Sequence, residues 1–262
     1  VWNPEFDLKQ SGIYFLTPFP KSKRIIYAAS FGISKLPEEY KENYKKWISE
    51  ISYLSVREKS GAEIIETLIG KKVPTLVDPV LLLTKEEWLK FSKVPSNRPK
   101  SKYLLTYFIG KVSEQRKSLI HEIAKKYNLQ IVRLWNLEDK KAFTADPLEF
   151  IYYFSSATMI LTDSFHGTAF SILFEIPFVV FKNIGRESVH SRIDNILDMF
   201  KFKNRFEDNI DFSKNLFDID FTHVKDILDK ERERSTVFLK NALTSEVKEN
   251  NKIAFEEIGK AN

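Results

Sequence analysis

The stretch MILTDSFHGTAFSILFEIPFVVF, residues 159–181, contains two apolar runs separated by a short polar segment. Its first part, MIL, and its last part, PFVVF, are typical of buried parallel strands, which are almost continuously apolar because helices cover both faces. The run between them has the composition and length of a covering helix. The stretch therefore predicts a strand, a turn, a helix and a second strand, with the turn at TDSFHGT, residues 162–168.

The same alternation extends along most of the chain. Short apolar runs predict strands at residues 24–30, 53–58, 74–78, 103–109, 129–135, 159–164 and 177–181. Segments with helical periodicity lie between many of them, at residues 38–51, 60–70, 113–127, 147–156 and 167–175. Strands that alternate with helices of this length indicate parallel βαβ units. We therefore expect an α/β fold with two Rossmann-like domains facing a cleft.

One polar segment separates the two expected domains. KVPSNRPKSK, residues 93–102, contains two prolines and shows no periodicity, as a linker would. We expect a first Rossmann-like domain over residues 1–95, a second over 96–200, and a helical segment over 201–262. Open α/β sheets bind ligands at the carboxyl ends of their strands, so the loops that follow strands are the candidate sites.

Composition excludes several classes of function. The chain has 41 Lys and Arg against 36 Asp and Glu, and this surplus attracts anions without choosing among them. It has no cysteine, which excludes disulfides and thiolate chemistry and favours a reducing compartment. No apolar run is long enough to span a membrane, because Glu175 and Pro177 interrupt the most apolar segment.

Several familiar motifs are also missing from the sequence. Neither a Gly-x-Gly-x-x-Gly loop nor a Gly-Lys-Ser/Thr loop occurs, which argues against the common nicotinamide and nucleotide-hydrolase sites. There is no convincing metal-ligand spacing, so no metal is expected. The chain shows no RNA-binding aromatic signature and no concentrated basic stripe, so nucleic acid is not an expected partner.

The polar turn after the strand at 159–164 is the first candidate site. Asp163, Ser164 and Thr168 can each cap a helix, and Gly167 would let a ligand approach the backbone. A helix N-terminus favours an anion, and His166 would lie beside it. In the alternative interpretation, Asp163 or Ser164 only caps the helix and His166 fills space.

LSVREKSG, residues 54–61, is the second candidate. Arg57 and Lys59 follow an apolar strand and precede a helical segment, so they could clamp an anion. The alternative is a surface arginine paired with Glu58 or Glu63, which is a common and weak arrangement.

NIGRESVHSRIDNIL, residues 183–197, is the third candidate, because it follows the last strand of the second half. A loop there could close over the cleft, with Arg192 pointing into it. The alternative is an ordinary loop leading into an amphipathic helix, and both can hold at once. The core face of that helix would consist of Ile193, Ile196, Leu197 and Phe200. By contrast, Asp78 is expected to end a strand and to be structural rather than catalytic.

At these residues the chain resembles the polysaccharide pyruvyltransferase family. The similar segments are WNPEF (2–6), RIIYAASFG (24–32), LSVREKSG (54–61), PTLVDPVLLL (74–83), DPLEFIYYFSSATMILTDSFHGTAFSILFEIPFVVF (146–181) and SRIDNIL (191–197). The TDSFHGT segment is the specific signal, whereas WNP alone would be weak.

The resemblance implies a glycosyltransferase-B-like fold of two domains. Members of the family carry an Asn-Tyr/Trp-Gly-type segment well before the WNP region, so the first domain is expected to be incomplete at its N-terminus. The activity implied is transfer of a pyruvyl group from phosphoenolpyruvate to a sugar, often as a ketal across two hydroxyls. Phosphoenolpyruvate is a co-substrate there, and no cofactor is expected.

The resemblance also implies roles for individual residues. His166 would contact the donor phosphate and act as an acid or base, and Arg57 would clamp the donor's anionic groups. The implied binding residues are Ser164, Phe165, Gly167, Thr168, Lys59 and Arg192. The acceptor would be a sugar or a lipid-linked saccharide of a bacterial cell-surface polysaccharide. Such an enzyme is expected in the cytoplasm, with an association at the inner face of the membrane.

Two other functions remain open from the sequence. One is a glycosyltransferase of the same fold that uses a nucleotide-sugar donor. The other is a non-catalytic protein that binds glycans or acts as a scaffold. Release of phosphate from phosphoenolpyruvate would distinguish pyruvyl transfer from both of these alternatives.

Overall fold

A computed structural model of the chain describes residues 2–4, 12–136, 140–185 and 190–259. The chain divides into two units, one formed by Val1–Asp78 together with Asp229–Asn262 and the other by Pro79–Leu228. Each unit is described separately below. The linker expected at residues 93–102 and the domain boundary expected at residue 95 both fall within the second unit.

The second unit is built on a parallel four-stranded sheet. Its strands are β3 (Tyr103–Tyr107), β4 (Gln130–Leu134), β5 (Met159–Thr162) and β6 (Phe178–Val180), in the spatial order β4-β3-β5-β6. The helices of this unit are α3 (Lys85–Phe91), α4 (Glu114–Lys126), α5 (Lys140–Phe143), α6 (Pro147–Ser155), α7 (Phe165–Phe174) and α8 (His190–Met199). This confirms the predicted α/β class with parallel strands.

Helices cover both faces of this sheet. On one face, Leu104 and Leu161 pack in one apolar cluster with Ile120 of α4. On the other face, the ring of Tyr107 contacts Phe154 of α6, with ring centroids 5.7 Å apart. Burial on both faces explains why the strands are apolar without alternation.

The strand order creates a crevice at the carboxyl ends of β3 and β5. The connection after β3 runs outward to β4, whereas the connection after β5 runs the opposite way to β6. Adjacent parallel strands whose connections diverge leave a gap between their loops, and ligands of open α/β sheets bind in such gaps. The polar turn at residues 162–168 follows β5 and therefore lies at this position.

The first unit contains a smaller parallel sheet of β1 (Ile25–Ala29) and β2 (Tyr53–Val56). Its helices are α1 (Glu38–Ser49), α2 (Lys59–Ile69) and the part of α9 (Val224–Gly259) from Asp229 onward. The core is strongly aromatic: Trp2 stacks on Phe15 at 4.4 Å between centroids, and Phe15 meets Tyr44 edge-on at 5.0 Å.

The strand expected at residues 74–78 is reduced to a single bridge between Thr75 and Val56. Pro74 has no amide hydrogen to extend the ladder. Downstream, the chain enters a 3₁₀ turn at Pro79–Leu81. The prediction of a full strand here was therefore wrong.

The C-terminal part of the chain is only partly helical. The predicted core face of α8 is confirmed, because Ile193, Ile196, Leu197 and Phe200 are all buried. Residues 201–223 then form loops, turns and the 3₁₀ turn Lys203–Arg205, and helix resumes at Val224.

Candidate functional site

The turn between β5 and α7 presents one histidine on an otherwise buried helix. Ser164 is the N-cap residue, and its side chain accepts a hydrogen bond from the Gly167 amide at 3.4 Å. Every residue of α7 from Phe165 to Phe174 is buried except His166, which is exposed. Burial of the helix fixes its backbone, so the His166 side chain leaves the first turn from a rigid base.

Three amides of the turn donate hydrogen bonds within the turn itself. The Ser164 amide donates to Thr162 Oγ1 at 3.0 Å, and the Thr168 amide donates to the Ser164 carbonyl at 2.9 Å. The Gly167 amide donates to Ser164 Oγ. A Cβ atom at Gly167 would collide with Thr162 Oγ1, so the glycine permits the helix to approach the end of β5 closely.

Asp163 does not cap the helix but ties together the loops around the crevice. Its Oδ1 accepts from the Ile109 amide at 2.7 Å, and its Oδ2 accepts from the Gly110 amide at 2.9 Å. Asn183 Nδ2 also donates to Oδ2, at 3.1 Å. Burial raises the pKa of Asp163 above its ordinary value, and the amides of Ile109 and Gly110 partly offset that shift. The loops after β3, β5 and β6 are thus held by one carboxyl group.

In the first unit, Arg57 forms an ion pair at the end of β2. Its Nη1 lies 2.7 Å from Asp78 Oδ2, and the side chains are 15% and 2% exposed respectively. The partner that the structure shows for Arg57 is thus Asp78, which the sequence alternative of Glu58 or Glu63 did not include. The pair with Asp78 therefore holds the Arg57 guanidinium at the end of β2.

Glu58, in the loop after β2, accepts hydrogen bonds from the loop that follows β1. Its buried Oε1 accepts from the amides of Phe31 at 2.8 Å and Gly32 at 3.0 Å, and from Ser30 Oγ at 3.2 Å. The loops after β1 and β2 are thereby joined at one edge of the small sheet. Lys59 is the first residue of α2 and is exposed.

The segment that carries Asp78 is held by a tyrosine of β1. The Tyr27 hydroxyl donates to the Val77 carbonyl at 2.7 Å. Burial is the main cause that raises the pKa of Tyr27, so the hydroxyl keeps its proton and remains a donor. The expectation that Asp78 is structural stays a prediction, and its pairing with Arg57 was not foreseen from the sequence.

The remaining predicted site residue, Arg192, lies half-buried near the start of α8. The predicted closing loop falls mostly on residues 186–189, which lie outside the described residues. Arg57 and Lys59 belong to the first unit, and His166 and Arg192 to the second. Within the second unit, the structure brings the predicted turn residues together in one helix start.

Among the described residues, no group of three or more His, Asp or Glu side chains is placed to hold a metal ion. None of the helices in that part of the chain combines the length and apolar character needed to cross a membrane.

The parallel sheets and the helices that cover them define a Rossmann-like α/β protein, a class whose ligands bind at the ends of its strands. Sequence comparison makes the class specific, because the model of the polysaccharide pyruvyl transferase family matches residues 3–184. The chain belongs to this family, and it is therefore a transferase by family. Comparisons with curated proteins and with solved structures gave no significant match.

Proposed function

We propose that the protein transfers a pyruvyl group from phosphoenolpyruvate to a sugar of a polysaccharide precursor. The observation that carries this proposal is His166, the exposed residue at the start of a buried helix, beside the crevice of the second sheet. The family assignment supplies the transferred group and the polysaccharide acceptor.

The chemistry defines what the site has to do. A proton adds to C3 of phosphoenolpyruvate, which becomes a methyl group, and C2 becomes electrophilic. A sugar hydroxyl adds to C2 and loses its proton, and the C2–O bond to phosphate breaks. A second hydroxyl then closes the ketal and loses its own proton. Two hydroxyl protons are released, one balancing the proton taken up at C3 and the other leaving with inorganic phosphate.

His166 is suited to the proton transfers at the donor. An imidazole can accept a hydroxyl proton and deliver one to a leaving phosphate, and it can do so from a fixed backbone. The first turn of α7 places the positive end of the helix dipole beside the same position, which stabilises a phosphate there.

Ser164, Phe165, Gly167 and Thr168 would contribute mainly by shaping this helix start. Since the amides of Ser164, Gly167 and Thr168 donate within the turn, their part is to hold the turn rigid around the donor phosphate. A turn that is already rigid keeps His166 in place and needs no reorganisation during the reaction.

Arg57 would bind the carboxylate or phosphate of the donor, and Asp78 would act as its positioning residue. The ion pair at 2.7 Å fixes the guanidinium, whose planar shape suits a carboxylate or phosphate. Lys59 and Arg192 are proposed as further cations for the donor. The glycosyltransferase-B-like fold stays a prediction of the family resemblance.

Other finer features also stay predictions. We propose phosphoenolpyruvate as co-substrate with no separate cofactor, and an acceptor that is a sugar or a lipid-linked saccharide of an exopolysaccharide pathway. A cytoplasmic location with association at the inner membrane face would follow from that acceptor.

The test is the substitution His166→Ala. Because His166 is exposed, the variant should keep its thermal stability, while phosphate release from phosphoenolpyruvate with a sugar acceptor should fall by about 100-fold or more. Lys125→Gln, at an exposed position of α4, serves as the control and should keep full turnover. Turnover by His166→Ala at the unsubstituted rate would refute the role of this residue.

The same assay separates the alternatives. A glycosyltransferase would release nucleotide from a sugar donor and no phosphate from phosphoenolpyruvate. A non-catalytic glycan-binding protein would release neither, and His166→Ala would leave its glycan binding unchanged.

A further inference from the structure

The second unit contains a cavity whose lining does not include the residues that the proposed reaction uses. It has a volume of about 720 Å³ and lies between α4 and the carboxyl ends of β3 and β4. Clefts of this size hold cofactors and other small molecules in many proteins. We call it the β3–β4 cleft.

The polar lining of the β3–β4 cleft is positively charged. Three cationic side chains line it, Lys111, Lys117 and Arg133, beside the imidazole of His121. Among the residues that the structure describes, those lining the cleft include no Asp or Glu. Lys117 pairs with Glu114 at 3.0 Å, but the Glu114 side chain is 85% exposed, so water screens its charge. The field inside the cleft therefore favours an anion.

Hydrogen bonds hold two of these side chains in place. His121 Nδ1 lies 2.7 Å from the Lys117 carbonyl, and Arg133 Nη2 lies 3.4 Å from His121 Nε2. Arginine can only donate, so Nε2 is the acceptor and Nδ1 carries the proton that goes to the carbonyl. Arg133 of β4 and His121 of α4 are thus joined across the cleft that they line.

The remaining lining adds an aromatic platform. Trp135, the residue after β4, is 65% exposed and has a left-handed backbone with φ of 60°. Such a conformation is unfavourable for a bulky side chain and is found mostly where the surrounding structure requires it. Phe143 contacts the indole, with ring centroids 6.3 Å apart. Phe108 and Leu134 provide apolar surface beside it.

We propose that the β3–β4 cleft binds a nucleoside diphosphate, with the phosphates against Lys111, Lys117 and Arg133 and the base stacked on Trp135. Cations without an aromatic platform would suit any small anion, and an aromatic platform without cations would suit a neutral sugar. Their combination in one cleft matches a ligand that has both a diphosphate and a flat ring. This inference goes beyond pyruvyl transfer and does not depend on it.

The cleft is also linked to the turn that carries His166. Ile109 and Gly110 line the cleft, and their amides donate to Asp163 at the start of that turn. A nucleoside diphosphate in the cleft would therefore lie against the loop that Asp163 fixes.

Calorimetric titration of the whole chain with UDP and with ADP, in the absence of phosphoenolpyruvate, tests the proposal. Inorganic pyrophosphate and uridine serve as probes for the two halves of the ligand. At least one nucleoside diphosphate should bind about tenfold or more tightly than either half. Lys111→Gln and Arg133→Gln should each weaken that binding about tenfold. Lys125→Gln removes the same charge from an exposed position of α4 outside the cleft and should have no effect.

Substitutions of Trp135 test the aromatic half separately. Trp135→Ala should weaken nucleotide binding and leave pyrophosphate binding unchanged, whereas Trp135→Phe should keep binding but lose the quenching of indole fluorescence. Lys111 and Trp135 are both exposed, so these variants should fold even if Arg133→Gln does not.

Three outcomes would overturn the proposal. These are no binding of UDP or ADP at millimolar concentration, pyrophosphate binding as tightly as the nucleotides, or losses no larger than that of Lys125→Gln. Because no phosphoenolpyruvate is present, failure of pyruvyl transfer leaves this test intact.

Discussion

Asp163 shows how much of the second unit depends on a single carboxyl group. It is 1% exposed and accepts hydrogen bonds from Ile109, Gly110 and Asn183, which lie on two other loops. Burying a carboxyl group costs free energy unless its oxygens accept hydrogen bonds, and here three donors provide those bonds. The hydrogen bonds from Ile109 and Gly110 also fix how closely the loop after β3 approaches Asp163.

That close approach predicts the effect of Gly110→Ala. A Cβ atom there would lie 2.7 Å from Asn183 Oδ1 and 2.9 Å from Asp163 Oδ2, which is too close for a carbon. The substitution should lower the free energy of unfolding by about 1–3 kcal/mol, as overpacking does elsewhere. Denaturant titration of the purified variant measures this loss.

The control is the same substitution in an Asn183→Ala background. Shortening Asn183 removes one of the two obstructing side chains, so Gly110→Ala should cost less stability there. The double variant should then lose less free energy of unfolding than the sum of the two single losses. An equal cost in both backgrounds would show that the loop does not use this contact.

At the scale of elements, the end of α1 is fastened to the segment before β1. Arg24 is 5% exposed, and its guanidinium donates to the carbonyls of Phe19 at 2.8 Å and Thr17 at 2.9 Å. Its Nη1 donates to Glu50, at the C-terminus of α1, at 2.7 Å. Lys21 pairs with the same carboxylate at 3.1 Å.

This arrangement predicts a pH-dependent effect of Glu50→Gln. The hydrogen bonds from Arg24, and then from Lys21, hold the pKa of Glu50 below its ordinary value of 4.5. A carboxyl group with a lowered folded pKa adds stability above its unfolded pKa, and that stability disappears as pH falls through the folded pKa. The variant should therefore be less stable than the parent chain at pH 7, and the difference should vanish in acid.

Thermal unfolding from pH 7 down to pH 3 checks this dependence. Glu42→Gln makes the same change at an exposed position of α1 and should show little difference at any pH. A Glu50→Gln deficit that persisted unchanged in acid would mean that the loss comes from packing and not from the charge.

At the scale of the whole molecule, α9 begins in the second unit and ends in the first. Its later part contributes buried residues to the first unit, including Ser235 and Ala242, which are both 0% exposed. The ring of Phe238 also contacts Tyr27, with centroids 6.3 Å apart. The first unit therefore needs residues from both ends of the chain.

A charge placed on the buried side of α9 should weaken the first unit selectively. Ala242→Glu would bury a carboxylate without a partner, whereas Leu243→Glu would place it at a position that is 56% exposed. In hydrogen exchange, Ala242→Glu should reduce amide protection in β1 and β2 and leave β3 to β6 protected, since the second unit has its own core. Leu243→Glu should leave both units protected. Equal loss in all six strands would contradict this division.

Much of the fold could be predicted because local signals were strong. The run MILT and the run FVV became β5 and β6, and the helix between them has the predicted length within two residues at each end. The short helix α3 was missed, although Thr84 and Glu87 form a capping box there, because seven residues carry too little periodicity. The prediction of a strand at 74–78 failed for a local reason, because Pro74 has no amide hydrogen.

The candidate site could be predicted only in part. The turn after β5 was found from its position between two apolar runs, and the exposure of His166 agrees with that expectation. The Asp163 clamp was not found, because its amide partners are 54 and 53 residues away and main-chain donors leave no mark in a sequence. Lys111 and Arg133 of the β3–β4 cleft were also missed, since 22 positions separate them in the chain.

The sequence by itself determined the parallel α/β class, the places where strands give way to helices, and the family, because these depend on the order of apolar and polar residues along the chain. Only the tertiary structure decided that Arg57 pairs with Asp78, that Asp163 ties three loops together, and that three cationic side chains line one cleft. Those contacts depend on which strand ends become neighbours, and the order β4-β3-β5-β6 sets that across long stretches of sequence. The polar segment at residues 162–168 was visible from the start, but its partners were fixed only when the sheet formed.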